Sequence, residues 1–275
     1  MNEKPRVVIA GTRSSALPAQ LFDGQIDLAV ARTDEELRTL VRAANVLYSW
    51  RIPQSVPAET PQLRWIHLPS AGVDHIRTLP VWRSDIILTA SQGIHMVPMA
   101  EHLFALMLAL TRQVAAMVRA QERREWLHDN PHFHLTELRG RTLGIIGWGK
   151  IGDAIAHLAR AFGMRVAGTR WSVIVPREVP RTGETAYTDP PWLEPVDAPA
   201  DILYPAAQLH EVLAQSDLVV LILPLTEETR GSFGETEFGS MKRGSLFFNI
   251  GRGPVVDEAA LVRALRSGRL AGEVA

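Results

Sequence analysis

Apolar positions along this chain follow two rhythms, and the switches between them outline its architecture. Short apolar runs at Arg6–Ala10, Ile26–Ala31, Val46–Tyr48, Trp65–Leu68 and Ile86–Thr89 have the length of strands and alternate with stretches of helical spacing. Thr33 precedes Asp34-Glu35-Glu36, an N-cap followed by acidic residues in a first turn, and opens a helix through Leu37, Leu40 and Val41. From Pro98, the residues Leu103, Met107, Leu110, Val114, Met117 and Val118 predict one long helix to about Trp126, with Pro98 at N1 and Glu101 in the first turn. That helix is expected to lead from a first α/β domain, residues 1–95, into a second, residues 96–275.

The second domain opens on a strand, a glycine turn, a helix and a further strand. Thr142 to Ile146 is apolar; Gly147-Trp148-Gly149-Lys150-Ile151-Gly152 follows; Ile151, Ile155, Leu158 and Ala159 line one side of a helix; and Met164–Gly168 is apolar again. The glycines have the Gly-x-Gly-x-x-Gly spacing. In a dinucleotide site the first makes a tight turn, the second lets a pyrophosphate reach the backbone, and the third lets helix pack on strand. The same spacing occurs in ordinary tight turns, but here a strand returns within the ~30 residues of a βαβ unit. At the end of that strand, where an acidic residue usually bonds a ribose hydroxyl, the chain has Thr169-Arg170-Trp171-Ser172. Arg170 fits a 2′-phosphate and favours NADP over NAD; the alternative is a solvated surface arginine.

Ser172 to Pro205 carries seven prolines and little periodicity, and is expected to be a surface excursion, either a lid or an insertion. The pattern then resumes with a helix near Ala206–Ala214, a strand at Leu218–Leu223, a short helix around Glu235–Met241, a strand at Leu246–Ile250 and a helix from about Asp257 to Ser267. Arg252 stands between Gly251 and Gly253 at a strand's carboxyl end. There it can hold a substrate carboxylate bidentately and polarise a neighbouring carbonyl, or merely cap a turn. In the first domain, Pro69-Ser70-Ala71-Gly72-Val73-Asp74 is another small-residue loop at a strand's carboxyl end, either a ligand loop or a plain connection. The sequence stops at Ala275 where a sixth strand is expected to begin, which predicts an incomplete sheet with an exposed apolar edge.

Composition narrows the classes. A net charge of −1 provides no basic field for nucleic acid, and no apolar run approaches the ~18 residues of a membrane span. The absence of cysteine excludes disulfides, thiolate metal sites and a cysteine nucleophile, and is compatible with a cytoplasmic protein. Of the basic residues only Lys4, Lys150 and Lys242 are lysines. Glu101-His102 resembles an acid–base pair, but a first-turn glutamate serving the helix dipole accounts for it more simply. His128, His132 and His134 lack a cysteine or carboxylate at ligand spacing and are expected in a solvated loop, with no metal.

Ser70-Ala71-Gly72-Val73-Asp74, the Gly147–Gly152 fingerprint, Leu223-Pro224-Leu225-Thr226 and Asn249-Ile250-Gly251-Arg252-Gly253-Pro254-Val255-Val256-Asp257 occur in an order that resembles the D-isomer-specific 2-hydroxyacid dehydrogenases. Gly168-Thr169-Arg170 is similar, more loosely, to the glyoxylate/hydroxypyruvate reductase branch. The resemblance implies a doubly wound parallel sheet of Rossmann type, a smaller flavodoxin-like α/β substrate domain, an active site in the cleft between them and a homodimer built through the nucleotide domains. It implies that Ala71 and Gly72 offer backbone N–H groups to a substrate carboxylate and that Arg252 binds the substrate. It also implies that Gly147 to Gly152, Arg170, Pro224, Thr226, Ile250 and Gly251 surround NADP or NAD. The expected reaction is reduction of a small 2-oxo acid to the D-2-hydroxy acid. The glutamate and histidine that form the acid–base pair in the family are expected beyond Ala275, in a longer enzyme. A nucleotide-sensing corepressor of the same fold, or a catalytically incomplete fragment, is the alternative.

Overall fold

The computed structural model describes residues 4–11, 24–127, 134–173, 177–179 and 201–274, and divides the chain into two compact units, Met1–Ile94 and His95–Ala275. In the first unit, strands β1 (Arg6–Ala10), β2 (Asp27–Ala31), β3 (Val46–Ser49), β4 (Trp65–Leu68) and β5 (Ile87–Ala90) form a wholly parallel sheet in the order β2-β1-β3-β4-β5. This is the flavodoxin-like strand order. Helix α1 (Asp34–Val41) starts as its sequence requires, with Thr33 Oγ1 accepting from the Glu36 N–H. Its buried Leu37 and Val41 join Val8, Leu47, Ile66 and Leu68 in the core of this unit.

The second unit begins with α2 (Met96–Thr111) and α3 (Val114–Arg123), bent by 60° where one continuous helix was expected. Two bonds break the ladder, one local and one from far along the chain. The Thr111 hydroxyl donates to the Met107 carbonyl, a back-bond that bends helices, and the Thr111 carbonyl accepts from the Thr136 N–H. Gln113 then takes a left-handed conformation (φ 51°), with its side-chain amide donating to the His134 carbonyl. Because α2 starts at Met96, Pro98 is its third residue rather than N1, and Glu101 lies beyond the first turn. His128 and His132 lie outside the described residues. Among the described residues no single helix is long and apolar enough to cross a membrane.

The sheet of this unit comprises β6 (Thr142–Ile146), β7 (Arg165–Arg170), β8 (Arg177–Val179), β9 (Asp201–Pro205), β10 (Leu218–Leu221), β11 (Ser245–Asn249) and β12 (Leu270–Val274). The order is β12-β11-β10-β6-β7-β9-β8, parallel throughout except for β8. Two expectations are corrected. Of the Pro-rich stretch, residues 174–176 and 180–200 lie outside the described residues, and its last five residues are the sheet strand β9 rather than part of an excursion. The expected sixth parallel strand is present as β12, because Leu270–Val274 alone suffices to pair with β11. The expectation of a missing edge strand therefore fails.

Both faces of this sheet are covered, which explains why β6 and β10 are buried at every position. Leu143, Ile145, Val220 and Phe248 pack against α2 and against α4 (Lys150–Ala161). On the opposite face Ile146, Val219, Leu221 and Phe247 pack beneath α5 (Leu209–Gln215), α6 (Glu235–Ser240) and α7 (Glu258–Arg266). The amino ends of the strands are joined by charge. Asp217, just before β10, accepts from the Thr142 N–H at 2.8 Å and from Lys242 Nζ at 2.9 Å, with Arg141 at 3.9 Å. Burial pushes the Asp217 carboxyl up, but the Thr142 N–H, Lys242 and Arg141 outweigh it and hold the group below the usual aspartate value. Asp201, at the start of β9 and fully buried, accepts from Arg160 Nε of α4 at 2.5 Å.

Candidate functional site

At the carboxyl ends of β6, β10 and β11 three turns meet, two of them, after β6 and β11, built on glycines. Gly147 takes φ 94°, and a Cβ there would lie 2.9 Å from the Ile222 carbonyl oxygen, so the turn admits only glycine. The N–H groups of Gly147 and Trp148 donate to the Thr169 carbonyl at 3.2 and 2.8 Å, fixing the turn to the end of β7. Gly149 is the N-cap of α4, has no side-chain cap, and a Cβ built on it meets nothing within 4 Å. Open space therefore lies beside a helix start whose first-turn N–H groups have no helical acceptor. Gly152 does the opposite job: a Cβ there would approach the Trp148 ring to 3.0 Å and Ile145 Cγ2 to 3.3 Å.

Trp148 is a residue whose role the fingerprint spacing does not reveal. It is buried, its indole N–H donates to Asp153 Oδ1 at 2.7 Å, and its ring sits against Gly152 and Gly168. Its ring wedges α4 against β7. Lys150 is exposed and Ile151 half-buried. These positions form a cradle that fits a pyrophosphate: an anion can approach the bare backbone at Gly149 and the positive end of α4. Arg170, the last residue of β7, is exposed, and its carbonyl accepts from the Val173 N–H.

The neighbouring turns close on the fingerprint. A Cβ on Gly251 would lie 2.8 Å from the Leu223 carbonyl oxygen, so the β11 turn presses directly on the β10 turn. Pro224 is exposed, and the Thr226 hydroxyl is engaged with Thr229, which in turn donates to the Pro224 carbonyl. Thr226 thus stabilises its own turn. Asn249 is the organiser of the β11 turn, its side-chain oxygen accepting from the Gly251 N–H and its amide donating to the Arg252 carbonyl. Arg252 is half-buried and donates from Nη1 to the Gly251 carbonyl at 3.0 Å. Beside Ile250 a cavity of about 520 Å³ opens, lined also by Asn249 and by His95, Met99, His102 and Leu106 of the α2 region. The sequence pattern marks only the buried Leu103 and Met107 stripe of α2. The second stripe, Met99, His102 and Leu106 at helical spacing, was the signal for this wall.

In the first unit, Ser70 is buried and donates from Oγ to the Gly72 carbonyl at 2.9 Å, while the Ser91 N–H holds the Ser70 carbonyl. With the Gly72 carbonyl so occupied, the N–H groups of Ala71 and Gly72 have no hydrogen-bond acceptor among the described residues. The loop is a hydrogen-bonded bend whose two donors have no acceptor among the described residues.

Residues 104–275 match the model of the D-isomer specific 2-hydroxyacid dehydrogenase NAD binding domain. The chain is 33% identical to the glyoxylate reductase of Aeropyrum pernix over 86% of its own length and 67% of that protein's. It is 30% identical to the D-3-phosphoglycerate dehydrogenase of Methanocaldococcus jannaschii over 90% of its own length, but it spans only 44% of that relative. A D-isomer specific 2-hydroxyacid dehydrogenase from Xanthobacter autotrophicus Py2, solved with NADPH and MES, superposes with a TM-score of 0.70 at 26% identity, covering 98% of this chain and 80% of the other. The chain belongs to the D-isomer-specific 2-hydroxyacid dehydrogenase family.

Proposed function

We propose that the protein reduces a small 2-oxo acid, of the glyoxylate or hydroxypyruvate kind, to the D-2-hydroxy acid with NADPH, NADH being the second choice. The observation that carries this reading is the uncapped start of α4 beside the bare Gly149, where two further strand-end turns converge. The bound nicotinamide cofactor would supply hydride from C4 of its ring. Gly147 to Gly152 would hold the pyrophosphate, with Trp148 fixing the helix from behind. Pro224, Thr226, Ile250 and Gly251 would border the cofactor, and the apolar wall at Ile250 and Met99 suits the nicotinamide. Arg170 would pair with the 2′-phosphate, a preference supported by the NADPH complex of the Xanthobacter relative.

The first unit would be the substrate-binding domain, its Ala71 and Gly72 N–H groups holding the substrate carboxylate. Arg252 would bind the oxo acid through its planar guanidinium and stabilise negative charge that grows on the carbonyl oxygen as reduction proceeds. Its bond to the Gly251 carbonyl aims the group without removing its charge. We further assign a cytoplasmic homodimer built through the second unit. The exposed Val114, Met117 and Val118 of α3, with Trp126 and Leu135, support it as an apolar face on that unit.

The test is consumption of NADPH by the purified protein with glyoxylate or hydroxypyruvate. D-configured product and dependence on the oxo acid are expected. Failure to bind either dinucleotide would overturn the reading, and tight binding with no turnover of any oxo acid would favour a nucleotide-sensing protein.

A further inference from the structure

The amino ends of the second unit's strands enclose a cavity of about 230 Å³. Its walls include Thr142 at the start of β6, Arg165 at the start of β7, Ile202 of β9, Gln215 at the end of α5, and Lys242 between α6 and β11. The glycine turns lie at the other end of the same strands, the five residues of β6 away, which at ~3.3 Å per residue is about 16 Å. A small molecule in this cavity does not reach the dinucleotide cradle.

Arg165 is the residue of this cavity that its surroundings leave unserved. Its Nε is buried and has no hydrogen-bond partner, and among the described residues its guanidinium makes no ion pair. A buried donor of this kind calls for an acceptor. The charge is unbalanced as well. Lys242 Nζ lies 2.9 Å from Asp217 Oδ1, and the same carboxylate accepts from the Thr142 N–H and has Arg141 at 3.9 Å. One carboxylate therefore serves two cations, and Arg165 adds a third. Among the described residues no aspartate or glutamate lines the cavity itself.

A water molecule would serve the Nε donor and leave the charge uncompensated. A dianion with several acceptor oxygens answers both needs. Two of its oxygens match the planar fork of Arg165, and the ammonium of Lys242 adds a point charge on the opposite wall. The side-chain amide of Gln215 donates to the Glu211 carbonyl, so this residue shapes the wall rather than competing for the cations. For scale, a cavity of ~150 Å³ holds benzene, so a phosphate and the first carbons of an ester fit within this one.

We propose that this cavity is a binding site for a phosphate dianion, free or as the head of a small phosphate ester, held by Arg165 and Lys242. The bound anion joins the start of β7 to the segment that leads into β11, and so stabilises the fold from the end of the sheet remote from the dinucleotide cradle. The inference stands without the reductase reading, because neither cofactor nor oxo acid takes part in it.

The experiment follows the melting temperature of the full chain against inorganic phosphate concentration, with chloride holding the ionic strength constant, in wild type, Arg165→Gln, Gln215→Glu and Gly149→Asp. A ligand that binds only the folded state raises it. Phosphate should stabilise the wild type in a saturable way. Arg165→Gln breaks no ion pair among the described residues, so it should fold, and it should weaken phosphate binding by about tenfold or more, the worth of hydrogen bonds to a charged group. Gln215→Glu should do the same by placing a carboxylate on the cavity wall. Gly149→Asp, which blocks the start of α4, should respond as the wild type does. Glycerol 3-phosphate in place of phosphate separates the two forms of the ligand: tighter binding assigns the site to esters, weaker binding to the free anion. No saturable response in the wild type, or an Arg165→Gln response equal to it, would overturn the proposal. Loss of the response in Gly149→Asp would also overturn it, by placing the phosphate at the dinucleotide cradle. Should Arg165→Gln fail to fold, Gln215→Glu decides alone, an undiminished response overturning the proposal.

Discussion

The two edges of the second unit's sheet are built from the same strands and treat polar groups in opposite ways. At the amino edge, each acid shown there is matched: Asp217 holds Thr142 and Lys242, and the buried Asp201 holds Arg160. At the carboxyl edge the strands β6 and β11 run out into glycines, and the start of α4 keeps donors without helical acceptors. Donors left unserved in a preorganised place are what an anionic ligand requires, whereas matched charges hold strands in register. Substitutions at the amino edge should therefore cost stability, and substitutions at the carboxyl edge should cost binding or turnover.

The largest effect is expected at the amino edge. Asp201→Ala leaves the partly buried Arg160 without this partner and should lower unfolding stability by about 3 kcal/mol, read by chemical denaturation. A loss below about 1 kcal/mol would show that the pair is not a tie between α4 and β9. At the opposite edge, Arg252→Lys should lower kcat/KM for the oxo acid by roughly two decades, about 3 kcal/mol, with unchanged melting temperature and unchanged NADPH affinity. Weaker NADPH binding with full turnover at saturation would move Arg252 from substrate to cofactor. Arg170→Asp should reverse the preference for NADPH over NADH, removing on the order of 1.5–3 kcal/mol of charge-assisted bonding. Equal use of both cofactors by the wild type would contradict the assignment of Arg170.

The smallest effect sharpens the comparison through pH. The Asp217 carboxyl lies below its ordinary value when folded, so its stabilisation is present above the unfolded value, near ~3.9, and is lost as pH falls through the lower folded value. Asp217→Asn should cost about 1–2 kcal/mol at neutral pH and flatten that acid limb, while NADPH binding stays the same. An acid limb as steep as in the wild type would assign the dependence to other carboxylates.

How far this contrast was legible in the sequence follows from its physics. The carboxyl edge depends on local backbone geometry, so Gly147, Gly149 and Gly152 announce themselves by spacing, and Arg252 by its flanking glycines. The amino edge depends on pairs distant in sequence, such as Asp201 with Arg160, and no local pattern carries them. Strand β9 was hidden because it follows a proline-rich run, and β12 because five residues ending in Gly-Glu-Val look too weak until β11 supplies the partner. The break between α2 and α3 escaped for the same reason: helical spacing persists through Thr111 to Val114, and the tertiary bond from Thr136 joins the Thr111 back-bond in ending the first helix. His102 and Met99 lie on a face of α2 whose partner, Ile250, comes from far along the chain.

The central claim is that the bare backbone at the start of α4 is a dinucleotide-phosphate site. Calorimetric titration of NADPH into the full chain, wild type beside Gly149→Asp, tests it most directly. Aspartate suits an N-cap and meets open space here, so the variant should fold with unchanged or slightly raised melting temperature. Its carboxylate would occupy the place of the phosphate, and NADPH affinity should fall by about a hundredfold, roughly 2.7 kcal/mol. An unchanged isotherm in the folded variant would contradict the account and place the cofactor elsewhere.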